Sequence, residues 1–356
     1  QRDADERKIV HHYQIDSSKK SLADTIDISS MTVESSYEGP RMPDKGVTEG
    51  FIKETMEYFK NQKLIHRLYA YKIILAVRKH MLALPSLVDI TIPKDATLTV
   101  CGDVHGQYYD LLNIFEINGL PSEKNIYLFN GDFVDRGSFS VEIILTLFVY
   151  QWLYPKGLYL TRGNHETDDM NKVYGFEGEV KAKYSDTMFD LFAETFATLP
   201  LAHLINGKIF VTHGGLFSRD DVTLDEIRQI NRFKRKPEST GLMCELLWSD
   251  PQKNPGRGLS KRGVGIQFGP DVTEKFLKLN NLDLLIRSHE VKENGYVIEH
   301  NGKCITVFSA PNYWYMCIGA LIRISSDLQM TYKTFEAVSH PNIRPMAYAS
   351  QFGGLM

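Results

Sequence analysis

Cysteine is scarce in this sequence: Cys101, Cys244, Cys304 and Cys317 are the only four in 356 residues, widely scattered and never in Cys-x-x-Cys spacing. That usage excludes a disulfide framework and reads as reduced thiols, so a cytoplasmic and nuclear location is expected. Long hydrophobic runs are absent too. No apolar stretch approaches the roughly 20 residues needed to cross a bilayer, and the polar opening QRDADERK is no signal peptide, so no membrane association is expected. Positive charge is not in excess: the formal net charge is -3, and the longest basic run, 232–236, is short and interrupted. Backbone affinity for nucleic acid comes from clustered Lys and Arg, so nucleic acid is not an expected partner. The chain also lacks an opening methionine; Gln1 stands there, and a fragment of a longer protein is expected.

What is present is a chain with 43% hydrophobic residues, enough to bury a large core. Residues 1–47 are charged and serine-rich and read as a linker. Residues 48–340 read as one α/β domain, and 341–356 as a tail whose Met346, Tyr348, Phe352 and Leu355 have no obvious partner. Thr48 is a candidate N-cap for helical spacing that runs through Phe51, Ile52, Met56 and Phe59 and then from Leu64 to Leu82. Beyond Pro85 one device recurs six times, a short apolar run followed by small or polar residues: TLTVCGDVH, IYLFNGD, LYLTRGNHE, KIFVTHGG, LLIRSHE and ITVFSAPNY. Runs of this kind are buried strands, helical patterns lie between several of them, and in such α/β domains ligands gather at the carboxyl ends of the strands.

The polar residues at those ends carry a consistent chemistry. In Gly131–Arg136, reading GDFVDR, Asp132 suits a hard cation and Arg136 offers a planar fork of donors to phosphoryl oxygens. Asp103 and His105, two apart after an extended run, are expected on one face and on one ion. Adjacent Asn164 and His165 diverge, one toward metal and the other toward substrate. With His213 and His289 the set is large enough for two divalent ions, which roughly 3.5–4 Å apart would clamp the attacking and leaving oxygens of a phosphoryl displacement. The remaining histidines, His11, His12, His66, His80, His203, His300 and His340, read as structural, and Arg287 as a brace for the strand end.

The motifs GDVHG (102–106), GDFVDRG (131–137) and RGNHE (162–166) resemble the three signatures of the metallophosphoesterase fold in its serine/threonine phosphoprotein phosphatase branch. WSDP (248–251), RG (262–263), RSHE (287–290) and SAPNY (309–313) are similar to that branch as well. The segments at 176–184, 260–264, 268–273 and 340–349 resemble a member with an upstream tetratricopeptide domain, which is expected to be missing from this chain. The resemblance implies a central β-sandwich of mixed sheets flanked by helices. It further implies a dinuclear site at the strand C-terminal ends, and hydrolysis of phosphoserine and phosphothreonine by a metal-bridging hydroxide without a phosphoenzyme.

Residue by residue, it implies Asp103, His105 and Asp132 on one metal and Asp132, Asn164, His213 and His289 on the other. Arg136, Asn164 and Arg262 would hold phosphate, Tyr313 would line the pocket, and His165 would act as the acid with Asp135 orienting it. Two divalent ions are implied as cofactors, manganese foremost, with iron, zinc or magnesium compatible with the ligands. Phosphoprotein substrates, a monomeric state and, through the missing domain, a heat-shock chaperone partner follow from the same likeness. The rival readings are a metallophosphoesterase for nucleotides or other phosphoesters, which should show a basic groove or stacking aromatics, and a noncatalytic phosphoprotein-binding module, which should lack the acid or a ligand. One departure stands out. Where the family continues after SAPNY with a cysteine and a polar, glycine-containing loop, residues 314–318 read WYMCI, so the segment is expected either to tuck against the sheet or to leave an apolar patch beside the site.

Overall fold

The structure, a computed structural model, describes residues 21–349. Its fourteen strands are, in chain order, β1 (Leu87–Ile90), β2 (Thr97–Cys101), β3 (Asn125–Phe129), β4 (Leu158–Leu160), β5 (Ala202–Ile205), β6 (Ile209–Thr212), β7 (Asp250–Pro251), β8 (Arg257–Leu259), β9 (Ile266–Phe268), β10 (Leu284–Arg287), β11 (Tyr296–Glu299), β12 (Cys304–Val307), β13 (Gly319–Ser325) and β14 (Met330–Phe335). They form a six-stranded sheet in the order β1-β5-β6-β10-β12-β11, a five-stranded sheet in the order β14-β13-β2-β3-β4, and a small three-stranded sheet. Both large sheets are mixed: β2, β3 and β4 run parallel while β13 pairs antiparallel with β2, and β6, β10 and β12 run parallel while β5 pairs antiparallel with β6.

The period-two geometry of a strand explains how the layers assemble. On β3, Ile126 and Leu128 face one way and meet Val100, Val211, Ile286 and Ile305 in the core between the sheets. Tyr127 and Phe129 face the other way, into a larger core with the helices Arg67–Leu82 and Ser140–Leu153. On the far sheet Phe210, Leu285 and Cys304 build a third core with the helix Pro270–Leu279. The strands that carry the site motifs are therefore buried on both faces, which is why the sequence shows mostly apolar runs there. All six expected strands are present. The N-terminal helical region is two helices, Glu49–Lys60 and Arg67–Leu82, and the Thr48 hydroxyl caps the first by accepting from the Phe51 N–H at 3.1 Å.

Residues 21–47 lie on the helical layer, with Leu22, Ile26, Ile28, Met31, Tyr37 and Met42 packed into its core. The tail corrects one expectation. The Met346 N–H donates to the Arg136 carbonyl at 2.7 Å, and the Lys183 ammonium sits 5.3 Å from the Tyr348 ring, so both residues have partners. Phe352 and Leu355, like His11 and His12, lie outside the described residues. Among the described residues no helix is long and apolar enough to cross a membrane.

Candidate metal centre

The site lies where the carboxyl ends of β2, β3 and β4 meet those of β6, β10 and β12, so both large sheets feed it. Asn130 ties them together: its side-chain amide donates to the Thr212 carbonyl at 2.8 Å and to Ser288 Oγ at 3.0 Å. Glycine is required at the closest approach. A Cβ on Gly131, whose φ is +84°, would lie 2.7 Å from the Gly163 backbone and 2.8 Å from His213 Nδ1. His105, Asp132, Asp135, Arg136 and His289 all have positive φ, between 40° and 73°. Backbone in that region is costly for residues with a Cβ, and such strain clusters where a site over-determines it.

Asp132 is the hub. Its carboxylate belongs to two groups of potential ligands, one with His105 and His165 and the other with His213 and His289, every member of which is buried. The Asp132 Oδ2 lies 3.1 Å from His213 Nε2 and 3.5 Å from His105 Nε2, while Asp103 Oδ2 lies 3.4 Å from His105 Nε2. Asp103 also accepts the His289 backbone N–H at 3.1 Å. The meeting of Asp103 and His105 has a different cause from the one expected. Strand β2 ends at Cys101, and the left-handed turn at His105 brings the ring back; extended alternation does not.

The far nitrogen of each imidazole sets its tautomer. His105 Nδ1–H donates to the Val134 carbonyl at 2.9 Å, His213 Nδ1–H to the Asn130 carbonyl at 2.7 Å, and His289 Nε2–H to the Trp248 carbonyl at 3.1 Å. A carbonyl only accepts, so in the neutral ring the nitrogen facing Asp132 offers a lone pair. His165 differs: its Nδ1–H donates to the Asp135 carboxylate at 2.8 Å. Asn164 and His165 diverge as expected, the amide toward His213 and His289, the imidazole toward Asp135.

This arrangement tests whether cations fit. The Asn164 carboxamide oxygen lies 3.1 Å from His213 Nε2, and the same position is 3.1 Å from His289 Nδ1 and from Asp132 Oδ2. Acceptors converge there without a donor unless the amide is reversed, and hard oxygen and imidazole ligands converging on one point suit divalent ions. Protons are the only other way to reconcile the charges. Burial opposes a charge on His105, but the hydrogen bond to Asp103 and the charge of Asp132 outweigh it and raise its pKa to about 9. His213 is raised to about 9 in the same way, burial opposing and Asp132 and Asp103 prevailing. His289 moves the other way, pushed well below its ordinary value by burial and then by Arg262, so it stands neutral.

Around this hub the expected phosphate groups are arranged unevenly. The Arg136 guanidinium stacks 4.1 Å over the Tyr174 ring, and its buried Nε has no partner. Arg262 is tied back: Nε donates to Asp250 Oδ2 at 2.7 Å and Nη2 to the His289 carbonyl at 3.0 Å. Tyr313 stacks on His105 at 5.1 Å, and burial pushes its phenol up to about 12. Arg287 braces the strand end as expected, donating to the Gly214 carbonyl at 2.7 Å and to Asp250 Oδ1 at 2.7 Å.

Sequence reasoning misses four contributors. Glu166 accepts the backbone N–H groups of Asp132 at 2.7 Å, Gly163 at 2.9 Å and Phe133 at 3.1 Å, and so holds the hub's own backbone. Asp250 anchors both Arg262 and Arg287. These two lie inside RGNHE and WSDP, so their motifs are a signal. Asn171, which donates to Asp135 Oδ2 at 3.0 Å, and Tyr174, under Arg136, have none.

A two-sheet sandwich with an aspartate-centred, histidine-rich donor set at its strand ends defines a metallophosphoesterase. The sequence profile of the calcineurin-like phosphoesterase family matches residues 96–293, and a second profile, described as the PPP5 TPR repeat region, matches residues 7–89. Serine/threonine-protein phosphatase 5 of Arabidopsis thaliana is 64% identical over 323 residues, 90% of this chain and 60% of that protein. The Homo sapiens protein of the same name is 58% identical over 338 residues, 94% of this chain and 68% of that one. The structure is similar to that of a protein serine/threonine phosphatase from Saccharomyces cerevisiae, at 43% identity and a TM-score of 0.82, covering 85% of this chain and 100% of that chain. The chain belongs to the serine/threonine-protein phosphatase 5 family of calcineurin-like phosphoesterases. It spans 60% and 68% of the lengths of the two relatives named.

Proposed function

We propose that this chain hydrolyses phosphoserine and phosphothreonine in proteins. The observation that carries the reading is the shared Asp132 carboxylate, flanked by three imidazoles whose tautomers are set by backbone carbonyls and by a fourth, His165, set by a carboxylate. Asp103, His105 and Asp132 would hold one divalent ion, and Asp132, Asn164, His213 and His289 the other. When bound, such ions supply Lewis acidity to the phosphoryl oxygens and lower the pKa of water. Manganese is the foremost candidate, and iron, zinc and magnesium are compatible with the donors.

The chain's own residues supply the rest. Arg136 and Asn164 orient the phosphate, with Arg262 joining them on release from Asp250, and Tyr313 covers His105. With Nδ1–H engaged by Asp135, His165 delivers a proton from Nε2 to the departing Ser or Thr oxygen, the general-acid step. Asn171 and the Phe176 N–H, 3.0 Å from Asp135 Oδ1, keep that carboxylate in place. The resemblance to a larger relative extends the proposal to a tetratricopeptide segment that engages a heat-shock chaperone, with a monomeric enzyme acting in cytoplasm and nucleus. The test is metal-dependent phosphate release from a phosphoserine peptide, with a phosphodiester as control and elemental analysis of the purified protein. Release from the diester but not the peptide would replace this reading with that of a general phosphodiesterase.

A further inference from the structure

The connection from β12 to β13 is held at its base and bare at its tip. The Asn312 N–H donates to the Cys317 carbonyl at 2.7 Å, the Cys317 N–H to the Trp314 carbonyl at 3.0 Å, and the Ile318 N–H to the Glu293 carbonyl at 3.1 Å. Gln107 Nε2 adds a bond to the Pro311 carbonyl at 2.8 Å. Cys317 is buried, yet Trp314, Tyr315 and Met316 are 71%, 85% and 73% exposed. Of the two outcomes expected for this segment, the apolar patch beside the site is the one observed. Three large apolar side chains in succession on a fixed backbone are unusual on a protein surface and mark a place where something binds.

Trp314 also walls a cleft of about 450 Å³, together with Phe139, Ile343 and Pro345, and the cleft reaches Arg136 and Tyr313. A cavity of that size suits a compact organic group such as one large side chain. Because it is continuous with residues assigned to the phosphate, a side chain close to the phosphoryl group that Arg136 receives can reach it. We propose that Trp314 is a specificity-determining residue, and that the cleft beneath it takes an aromatic or large aliphatic side chain flanking the phosphoserine or phosphothreonine of the substrate. This rests on the phosphatase reading above. The occupant is the substrate polypeptide itself: its phosphate meets Arg136, its neighbouring side chain leaves water against Trp314, and the rigid base of the loop keeps the wall in place.

The experiment scans one phenylalanine through an alanine-based phosphoserine peptide, within three residues on either side of the phosphate, and measures kcat/KM for each peptide with the whole chain and with Trp314→Ala and Trp314→Phe. The expected result is a position at which phenylalanine raises kcat/KM about tenfold, chiefly through KM, as burial of one aromatic side chain allows. Trp314→Ala should erase that preference and Trp314→Phe should keep most of it. Equal rates for all peptides, or a preference unchanged in Trp314→Ala, would overturn the specificity role alone. Hydrolysis of none of them would overturn the phosphatase reading and this inference with it. A dimer in solution that dissociates in Trp314→Ala would reassign the patch to a second copy of the chain.

Discussion

Inside the site, every imidazole that faces Asp132 has its other nitrogen engaged; at the rim, Trp314, Tyr315 and Met316 stand in solvent at the tip of a loop held at its base. The interior is over-determined, each of these rings held by an acceptor from another part of the chain, as chemistry on a phosphoryl group demands. The rim has a defined position but no committed side-chain contacts, which suits a surface that must accept different polypeptides. Tightness in one region and availability in the other divide reaction from selection.

The contrast breaks most completely at the hub. Asp132→Asn should reduce phosphatase activity to background and lower metal content together, since one carboxylate serves both ligand groups; normal turnover with full two-metal content would end the shared assignment. His165→Ala comes next. Removing a general acid costs roughly 100- to 10,000-fold, so phosphoserine peptide hydrolysis should fall by that order while p-nitrophenyl phosphate, whose leaving group needs little protonation, loses far less. Equal losses on the two substrates would take the acid role from His165.

A smaller effect is expected one step out from the ligands. Glu166→Gln weakens the grip on the Asp132, Phe133 and Gly163 backbone, and loss of such a support typically costs about 10- to 100-fold in metal affinity. A chelator competition titration would measure it, and an unchanged affinity would confine Glu166 to folding. The pH dependence sharpens the same point. In the ion-free protein the raised pKa values of His105 and His213, about 9 each, stabilise the fold fully below their unfolded value of about 6.5 and cease to do so as pH rises through about 9. Metal uptake should therefore release protons below pH about 9 and few above it, read as a buffer-dependent heat in calorimetric titrations of manganese. At the rim the change is smallest: Met316→Ala, at an exposed position, should alter stability by no more than about 0.5 kcal/mol in chemical denaturation.

Much of the fold and most of the site are legible in the residues themselves. The six apolar runs that end in ligand-bearing turns are local patterns, and they form β2, β3, β4, β6, β10 and β12. The edge strands β1, β11 and β14 leave no comparable mark, because segments such as Tyr296–Glu299 carry no continuous apolar run, while the interior β5 and β13 end in no ligand-bearing motif that would flag them. Asn171 and Tyr174 are hidden for a related reason: they reach Asp135 and Arg136 from a helix that only the packed fold brings alongside. The tail looks unpartnered in the sequence because its partners, Arg136 and Lys183, lie far back in the chain.

By itself the sequence determined the kinds of ligand, their order along the chain and their place at the ends of buried strands, since residue type and hydrophobic period are local properties. Only the tertiary structure decided which nitrogen of each histidine faces Asp132, because a ring's tautomer is set by a carbonyl or carboxylate from a distant turn. It also decided that residues 314–316 face water, because burial depends on whether another part of the chain arrives to cover them.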